Sequence, residues 1–197
     1  MPRSVQFWFE FASTYSYLSA MRIEEIAGRH GVSVEWQPFL LGPIFVAQGW
    51  NDSPFNVYPA KGRYMWRDME RLTAQRNLPF QRPDPFPQNG LKAARLALAI
   101  EDHTQRAAFS RAVYSAEFAN GQNIADDAVL RACLAETGLP QDLLAKTQDP
   151  LVKAALKTQT KTAQDNGLFG APSFLVGDEL FWGDDRLEDA IKLASAI

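Results

Sequence analysis

A β-α-β opening, a β-β-α close and a run of helices between them predict an α/β protein: a thioredoxin-like fold with a large all-helical insertion. Val5-Gln6-Phe7-Trp8-Phe9-Glu10-Phe11 is aromatic and β-branched with partial alternation, which predicts the first strand. Ala12-Ser13-Thr14 is a small polar break, and Tyr15-Ser16-Tyr17-Leu18 leads into one helix through about residue 29. Leu18, Met21, Ile23, Ile26 and Ala27 give that helix an apolar side, and Gly31 suits its C-terminal turn. Residues 32–37 alternate cleanly and predict a second strand, parallel to the first through a right-handed crossover.

Residues 38–59 are rich in Gly, Pro, Asn and Asp and read as a long irregular connection. Helices are predicted over 61–76, 90–101, 106–118, 126–136 and 149–166, with Pro79, Pro83, Pro85 and Pro87 interrupting the pattern between the first two. Ser173-Phe174-Leu175-Val176 and Glu179-Leu180-Phe181-Trp182 are strands joined at Gly177-Asp178, a hairpin signature. Gly183-Asp184-Asp185 opens a last helix over 186–196. The expected division is a discontinuous thioredoxin-like domain, 1–40 with 168–197, and a helical insertion, 41–167. Fold alone does not fix function.

Composition narrows the classes. The chain has 197 residues, 46% hydrophobic and 22% charged, which suits a packed globular protein and argues against disorder or a coiled coil. A net charge of -3 without a Lys/Arg run speaks against nucleic acid or an acidic membrane surface as partner. No stretch approaches the roughly 18 apolar residues of a membrane span, and the N-terminal segment does not read as a secretory signal. The single cysteine, Cys133, forms no intramolecular disulfide, so a reducing cytoplasmic setting is expected. Its place among Val129, Leu130 and Leu134 predicts an inert, buried helix residue. His30 and His103 are too few and too far apart for a metal pair or a Ser-His-Asp triad, and no metal is expected.

Three segments can carry chemistry. Ser13 stands at the strand-to-helix junction, where a hydroxyl commonly caps a helix. The same place offers unpaired N–H groups to an anion. Ser13 and Ser16 have the spacing of a Cys-x-x-Cys pair with oxygen in place of sulfur, so sulfur chemistry here needs a thiol from outside. Pro172 begins a strand; in thioredoxin-like folds a proline at this place is typically cis, and the residue before it, Ala171, pairs with an extended peptide. Trp182-Gly183-Asp184-Asp185 precedes the last helix. Asp185 and Glu188 have capping-box spacing, and a second aspartate exceeds what one cap needs, leaving a carboxylate or main-chain N–H for the charged end of a ligand.

Together with Pro59-Ala60-Lys61-Gly62-Arg63-Tyr64-Met65 and Phe86-Pro87-Gln88-Asn89-Gly90-Leu91, these segments carry a resemblance along nearly the whole chain. The sequence resembles the 2-hydroxychromene-2-carboxylate isomerases, relatives of kappa-class glutathione transferases in the DsbA-like thioredoxin superfamily. The resemblance implies glutathione as the outside thiol, a small aromatic substrate and a homodimer. It implies that Ser13 hydrogen-bonds the glutathione sulfur as the catalytic residue. It further implies that Ala171 and Pro172 meet the cysteinyl part and that Trp182, Gly183, Asp184 and Asp185 hold the γ-glutamyl end. Asn51, Lys61 and Asn89 match polar positions near the mouth and are the implied substrate contacts. Thr14 stands where many relatives have proline, and Val46 where many have a lysine, which leaves Lys61 or Arg63 to supply the charge for a substrate carboxylate. The implied activity is glutathione-dependent cis–trans isomerisation of an aromatic-ring-degradation intermediate, 2-hydroxychromene-2-carboxylate to trans-o-hydroxybenzylidenepyruvate. The alternatives are a kappa-like transferase or peroxidase using the same thiolate, and a non-catalytic thioredoxin-like module binding a peptide or protein. A disulfide oxidoreductase has no sulfur at Ser13 or Ser16 to work with.

Overall fold

The computed structural model describes residues 3–50 and 52–197. Its centre is a four-stranded sheet in the order β2-β1-β3-β4, made of β1 (Ser4–Phe9), β2 (Ser33–Pro38), β3 (Ser173–Val176) and β4 (Glu179–Trp182). β1 runs parallel to β2 and antiparallel to β3, and β3–β4 is a hairpin turning at Gly177 (φ +59°). This is the thioredoxin-like arrangement predicted by the two ends of the sequence.

The alternation of β1 feeds two cores, because successive side chains point to opposite faces of a sheet. Val5, Phe7 and Phe9 join the larger core with Trp36, Phe174 and Tyr114. Trp8 turns to the other face and packs with Phe39, Ile44, Ala163 and Leu175. Phe7 alone meets Phe9, Trp36 and Phe174 with ring centroids 5.0–5.5 Å apart. Each fully buried ring of this kind stabilises the fold by about 1.5–3 kcal/mol.

The structure corrects the expected boundaries in four places. The first strand stops at Phe9 rather than Phe11, because its parallel partner ends at Pro38, opposite Phe9. The helix expected over 15–29 is two helices, α1 (Thr14–Ala20) and α2 (Ile23–Arg29). Arg22 leaves helical geometry between them (φ -133°) and directs its guanidinium to Asp184. The connection at 38–59 is not irregular: it holds α3 (Leu41–Ala47) and α4 (Pro54–Val57). Pro54 occupies the first turn of α4 behind a Ser53 cap, where no N–H is required, so it starts a helix instead of breaking one.

The remaining helices are α5 (Pro59–Gln75), α6 (Leu91–Ala99), α7 (His103–Tyr114), α8 (Asp127–Glu136), α9 (Pro150–Asp165) and α10 (Leu187–Ala196). The fourth correction lies after α7, which does not run to 118: its last turn widens into a π-turn (Ser115–Ala119) that carries the buried Glu117. A 3₁₀ segment, Gln141–Gln148, precedes α9. Among the described residues no helix is long and apolar enough to cross a membrane, and no group of His, Cys, Asp and Glu is set to hold a metal ion.

Candidate active site

A cleft of about 1310 Å³ opens where the β1–α1 corner faces the loop before β3. α3, α4 and α5 form one wall and the start of α6 another. Ser13, Lys61, Asn89, Ala171, Pro172 and Trp182 to Asp185 all border this one cleft; Arg63, the alternative to Lys61, does not, and Asn51 lies outside the described residues.

Ser13 has extended backbone (φ -88°, ψ 115°) and caps α1 by accepting the Ser16 N–H at 3.2 Å. The same hydroxyl donates to the Ala171 carbonyl at 3.0 Å. The capping reading of Ser13 holds, and the cap uses the oxygen's lone pair while its proton goes to the Ala171 carbonyl across the cleft. The Ala171–Pro172 peptide is cis. Pro172 passes its carbonyl to the Gly183 N–H at 3.0 Å, which seats the 182–185 segment beside the proline loop. Gly183 takes φ +104°, a conformation L side chains rarely adopt. Trp182 stands half-exposed against Phe169 with centroids 4.9 Å apart. A Cβ on Gly170 would overlap the Trp182 indole nitrogen, so the close approach of loop and indole depends on glycine there.

The paired aspartates are unlike each other. Neither caps a helix, contrary to the capping-box reading: Gly183 and Arg186 hold the cap positions without side-chain bonds, and Glu188 pairs with Arg22 instead. Asp184 is buried. Its Oδ1 accepts the Ser19 hydroxyl at 2.9 Å and the Arg22 guanidinium at 3.3 Å, and its Oδ2 accepts Arg76 at 2.6 Å. Asp184 is thus not a spare carboxylate. Asp185 is the open one, its side chain 75% exposed.

Around the mouth, Lys61 lies over the Tyr58 ring at 4.9 Å. The Asn89 side chain accepts the Leu91 N–H at 3.0 Å at the start of α6. Val46 is an exposed apolar surface on α3, with Phe45, Trp50 and Phe55 nearby in the same wall.

Sequence reasoning missed four groups. Tyr15 donates to Asp68 at 2.9 Å and ties α1 to α5 across the cleft; burial and that carboxylate push its phenol pKa up. Arg76 reaches Asp184 from the end of α5. Lys61, Asp68 and Arg76 line the cleft with Leu72 at near-helical spacing, a mostly polar stripe legible in the sequence once α5 is known to wall a site. Glu10 borders the cleft and accepts the Leu41 N–H at 3.0 Å, while burial raises its pKa. Glu117 lies deeper, with no hydrogen-bond partner for either oxygen; burial first, then the charge of Glu10, push its pKa well up.

A cleft between a strand-to-helix corner and a cis-proline loop, lined by a serine hydroxyl and by no cysteine, is a candidate site of thioredoxin type. The DsbA-like thioredoxin domain family matches residues 4–194. A 2-hydroxychromene-2-carboxylate isomerase of Sphingobium xenophagum is 32% identical over 191 residues, covering 95% of this chain and 96% of that protein. Human glutathione S-transferase kappa 1 is 25% identical over 203 residues, covering 95% and 89%. Among solved structures, a 2-hydroxychromene-2-carboxylate isomerase superposes with a TM-score of 0.86 at 25% identity, covering 98% of this chain and 93% of that one. The chain belongs to the DsbA-like thioredoxin family and, within it, to the family of 2-hydroxychromene-2-carboxylate isomerases. It is an enzyme, an isomerase by that membership.

Proposed function

We propose that the protein is a glutathione-dependent cis–trans isomerase acting on an aromatic-ring-degradation intermediate of the 2-hydroxychromene-2-carboxylate type. The observation that carries the reading is the 3.0 Å bond from Ser13 to the Ala171 carbonyl. It sets a hydroxyl donor beside a main-chain acceptor of the kind that pairs with a cysteinyl backbone. The residues present fit a bound glutathione. The Asp185 carboxylate, 75% exposed, would hold the γ-glutamyl end, and the Ala171 carbonyl and Ser13 hydroxyl, bonded to each other, would hold the cysteinyl part.

Glutathione, when bound, supplies a thiolate that adds reversibly to an unsaturated carbon, so that the bond turns before elimination. The chain's own residues make that thiolate available. When a ligand N–H takes the Ala171 carbonyl, the Ser13 proton is released from it and points to the sulfur. A free thiol has a pKa of about 8.5. Lowering it by about two units requires roughly 2.7 kcal/mol of preference for the thiolate. A hydrogen bond to a charged group contributes about 1.5–3 kcal/mol, so Ser13 with the free N–H groups of the first turn of α1 suffices. Ser13 donates and is not covalently modified. Phe45, Trp50 and Phe55 line the cleft, as does Lys61; in this reading the three rings would take the aromatic part of the substrate and Lys61 its carboxylate.

The test is turnover of 2-hydroxychromene-2-carboxylate with and without glutathione, run beside conjugation of chlorodinitrobenzene. Isomerisation that needs glutathione supports the proposal. Conjugation without isomerisation assigns the kappa-like transferase activity, a reading favoured by the kinship with the human kappa enzyme. Absence of glutathione binding at millimolar concentration assigns a binding module.

A further inference from the structure

We infer that Glu10 is a second catalytic residue, the carboxyl that moves the proton when the cyclic hemiketal of the substrate opens. The inference rests on the glutathione-dependent isomerase reading above and gives a residue to a step that reading leaves without one.

The chemistry requires such a group. Opening breaks the bond between the ring oxygen and the hemiketal carbon. The hemiketal hydroxyl gives up its proton as its C–O bond becomes a carbonyl, and the ring oxygen takes up a proton as it becomes a phenol. One proton crosses from one oxygen to the other, with no net oxidation and no co-reactant. A carboxylate that takes the proton from the first oxygen and returns it to the second ends as it began. The hemiketal carbon and the double bond that turns belong to the same six-membered ring, within about 3 Å of each other. The proton carrier must therefore stand beside the thiol site.

Glu10 stands there. Its carbonyl accepts the Ser13 N–H at 3.0 Å, which fixes its backbone to the corner that carries Ser13. It borders the cleft and keeps partial exposure. Its carboxyl is held from two sides: Oε2 accepts the Leu41 N–H at 3.0 Å and Oε1 the Ala12 N–H at 3.5 Å. Two such bonds leave lone pairs on both oxygens for a substrate hydroxyl. A Cβ on Gly90 would stand 3.1 Å from Oε1, so a glycine at the start of α6 leaves that oxygen uncrowded. No cation pairs with the carboxyl among the described residues. The titratable groups that feel its charge are Tyr114, whose hydroxyl donates to the Glu10 carbonyl at 2.9 Å, and Glu117. Burial raises the Glu10 pKa, while N–H bonds from Leu41, Ala12 and Phe11 restrain the rise. A carboxyl so placed takes and returns a proton more readily than an exposed one.

The other acidic groups of the cleft are committed elsewhere or open to water. Asp184 is taken up by Ser19, Arg22 and Arg76. Asp68 and Tyr15 are bonded to each other at 2.9 Å. Asp52 accepts the Ser53 N–H and the Asn56 side chain. Asp185 is 75% exposed.

The test follows turnover of 2-hydroxychromene-2-carboxylate with glutathione, in water and in deuterium oxide, by the wild-type protein and by Glu10→Gln. Glutamine keeps an oxygen for the Leu41 N–H and cannot carry a proton between two oxygens. The expected result is a fall in kcat of about a hundredfold. A larger solvent isotope effect on the turnover that remains is expected with it, and an unchanged thiolate titration of the glutathione complex. Glu10→Asp, which keeps a carboxyl on a shorter stem, is expected to retain part of the turnover that glutamine loses. It serves in place of the glutamine variant if that one does not fold, with a fall in kcat and a rise in isotope effect expected again. Unchanged turnover overturns the inference. A fall without a rise in isotope effect assigns Glu10 a structural role and overturns it too. A displaced thiolate titration assigns Glu10 to the thiol and does the same. A wild-type protein without glutathione-dependent turnover overturns the isomerase reading itself, a result distinct from the other three.

Discussion

The Ser13 hydroxyl donates to the Ala171 carbonyl across 158 positions of sequence, at 3.0 Å, while its oxygen accepts the Ser16 N–H. One side chain thereby joins the first turn of α1 to the cis-proline loop. The relationship also sets the order of events proposed here, because the proton that serves the sulfur is held by Ala171 until the ligand backbone takes its place.

The aspartate pair separates stability from binding. Asp184→Ala leaves Arg22 and Arg76 without their shared partner in a partly buried place. Allowing for the solvent exposure of both arginines, it is expected to cost about 2 kcal/mol or more of unfolding free energy in a denaturant titration. Asp185→Ala removes an exposed carboxylate and is expected to leave stability within about 0.5 kcal/mol. The same change is expected to weaken glutathione binding about tenfold by calorimetry. Equal losses of stability in the two variants contradict this division of roles.

Gly170→Ala drives a methyl group into the Trp182 indole, whose Cε2 and Cδ1 lie 3.0 and 3.2 Å from the added carbon. Because Trp182 is half-exposed, the ring swings outward and the fold persists. The expected result is a change in tryptophan emission that disappears when the variant is made together with Trp182→Phe, accompanied by weaker glutathione binding. An unchanged emission spectrum contradicts the packing described.

Glu117 predicts a pH dependence of stability. In the unfolded chain a glutamate ionises near pH 4.3, whereas burial and the neighbouring Glu10, with Tyr114 also close, hold Glu117 neutral well above that. Between those limits the folded protein keeps a proton that the unfolded chain has released, so this group's contribution to stability falls as pH rises. Glu117→Gln is expected to match the wild-type melting temperature near pH 4 and to exceed it by a growing margin towards pH 8. A margin independent of pH contradicts a neutral Glu117.

Cys133 is expected to be silent. Its thiol is buried in α8 and burial pushes its pKa up to about 11. Native protein at pH 8 is expected to react with a thiol reagent far more slowly than free cysteine, and denatured protein to release one equivalent. Fast labelling of the folded chain contradicts that environment.

What was legible in the sequence is what is encoded locally. Ser13 follows an aromatic strand directly and Pro172 precedes one, and Gly177-Asp178 specifies its own turn. The 38–59 segment reads as irregular because a proline either ends or starts a helix, and at Pro54 the Ser53 cap decides for a start. The break at Arg22 and the role of Asp184 were hidden for another reason: both are set by ion pairs spanning 162 and 108 positions, which no local pattern records. The helix predicted over 106–118 gives Glu117 no special place, and it is the widened turn after Tyr114 that carries it, buried. Asp184 and Asp185 are chemically identical neighbours, and burial alone divides a structural carboxylate from an available one.

The central claim is that this enzyme sharpens a borrowed thiol with Ser13. Ultraviolet thiolate absorbance of the glutathione complex, titrated against pH for the wild-type protein and for Ser13→Ala, tests it most directly. The wild-type complex is expected to titrate about two units below the free thiol, and Ser13→Ala to move most of the way back while still binding glutathione. Identical titration curves for the two proteins would contradict the account.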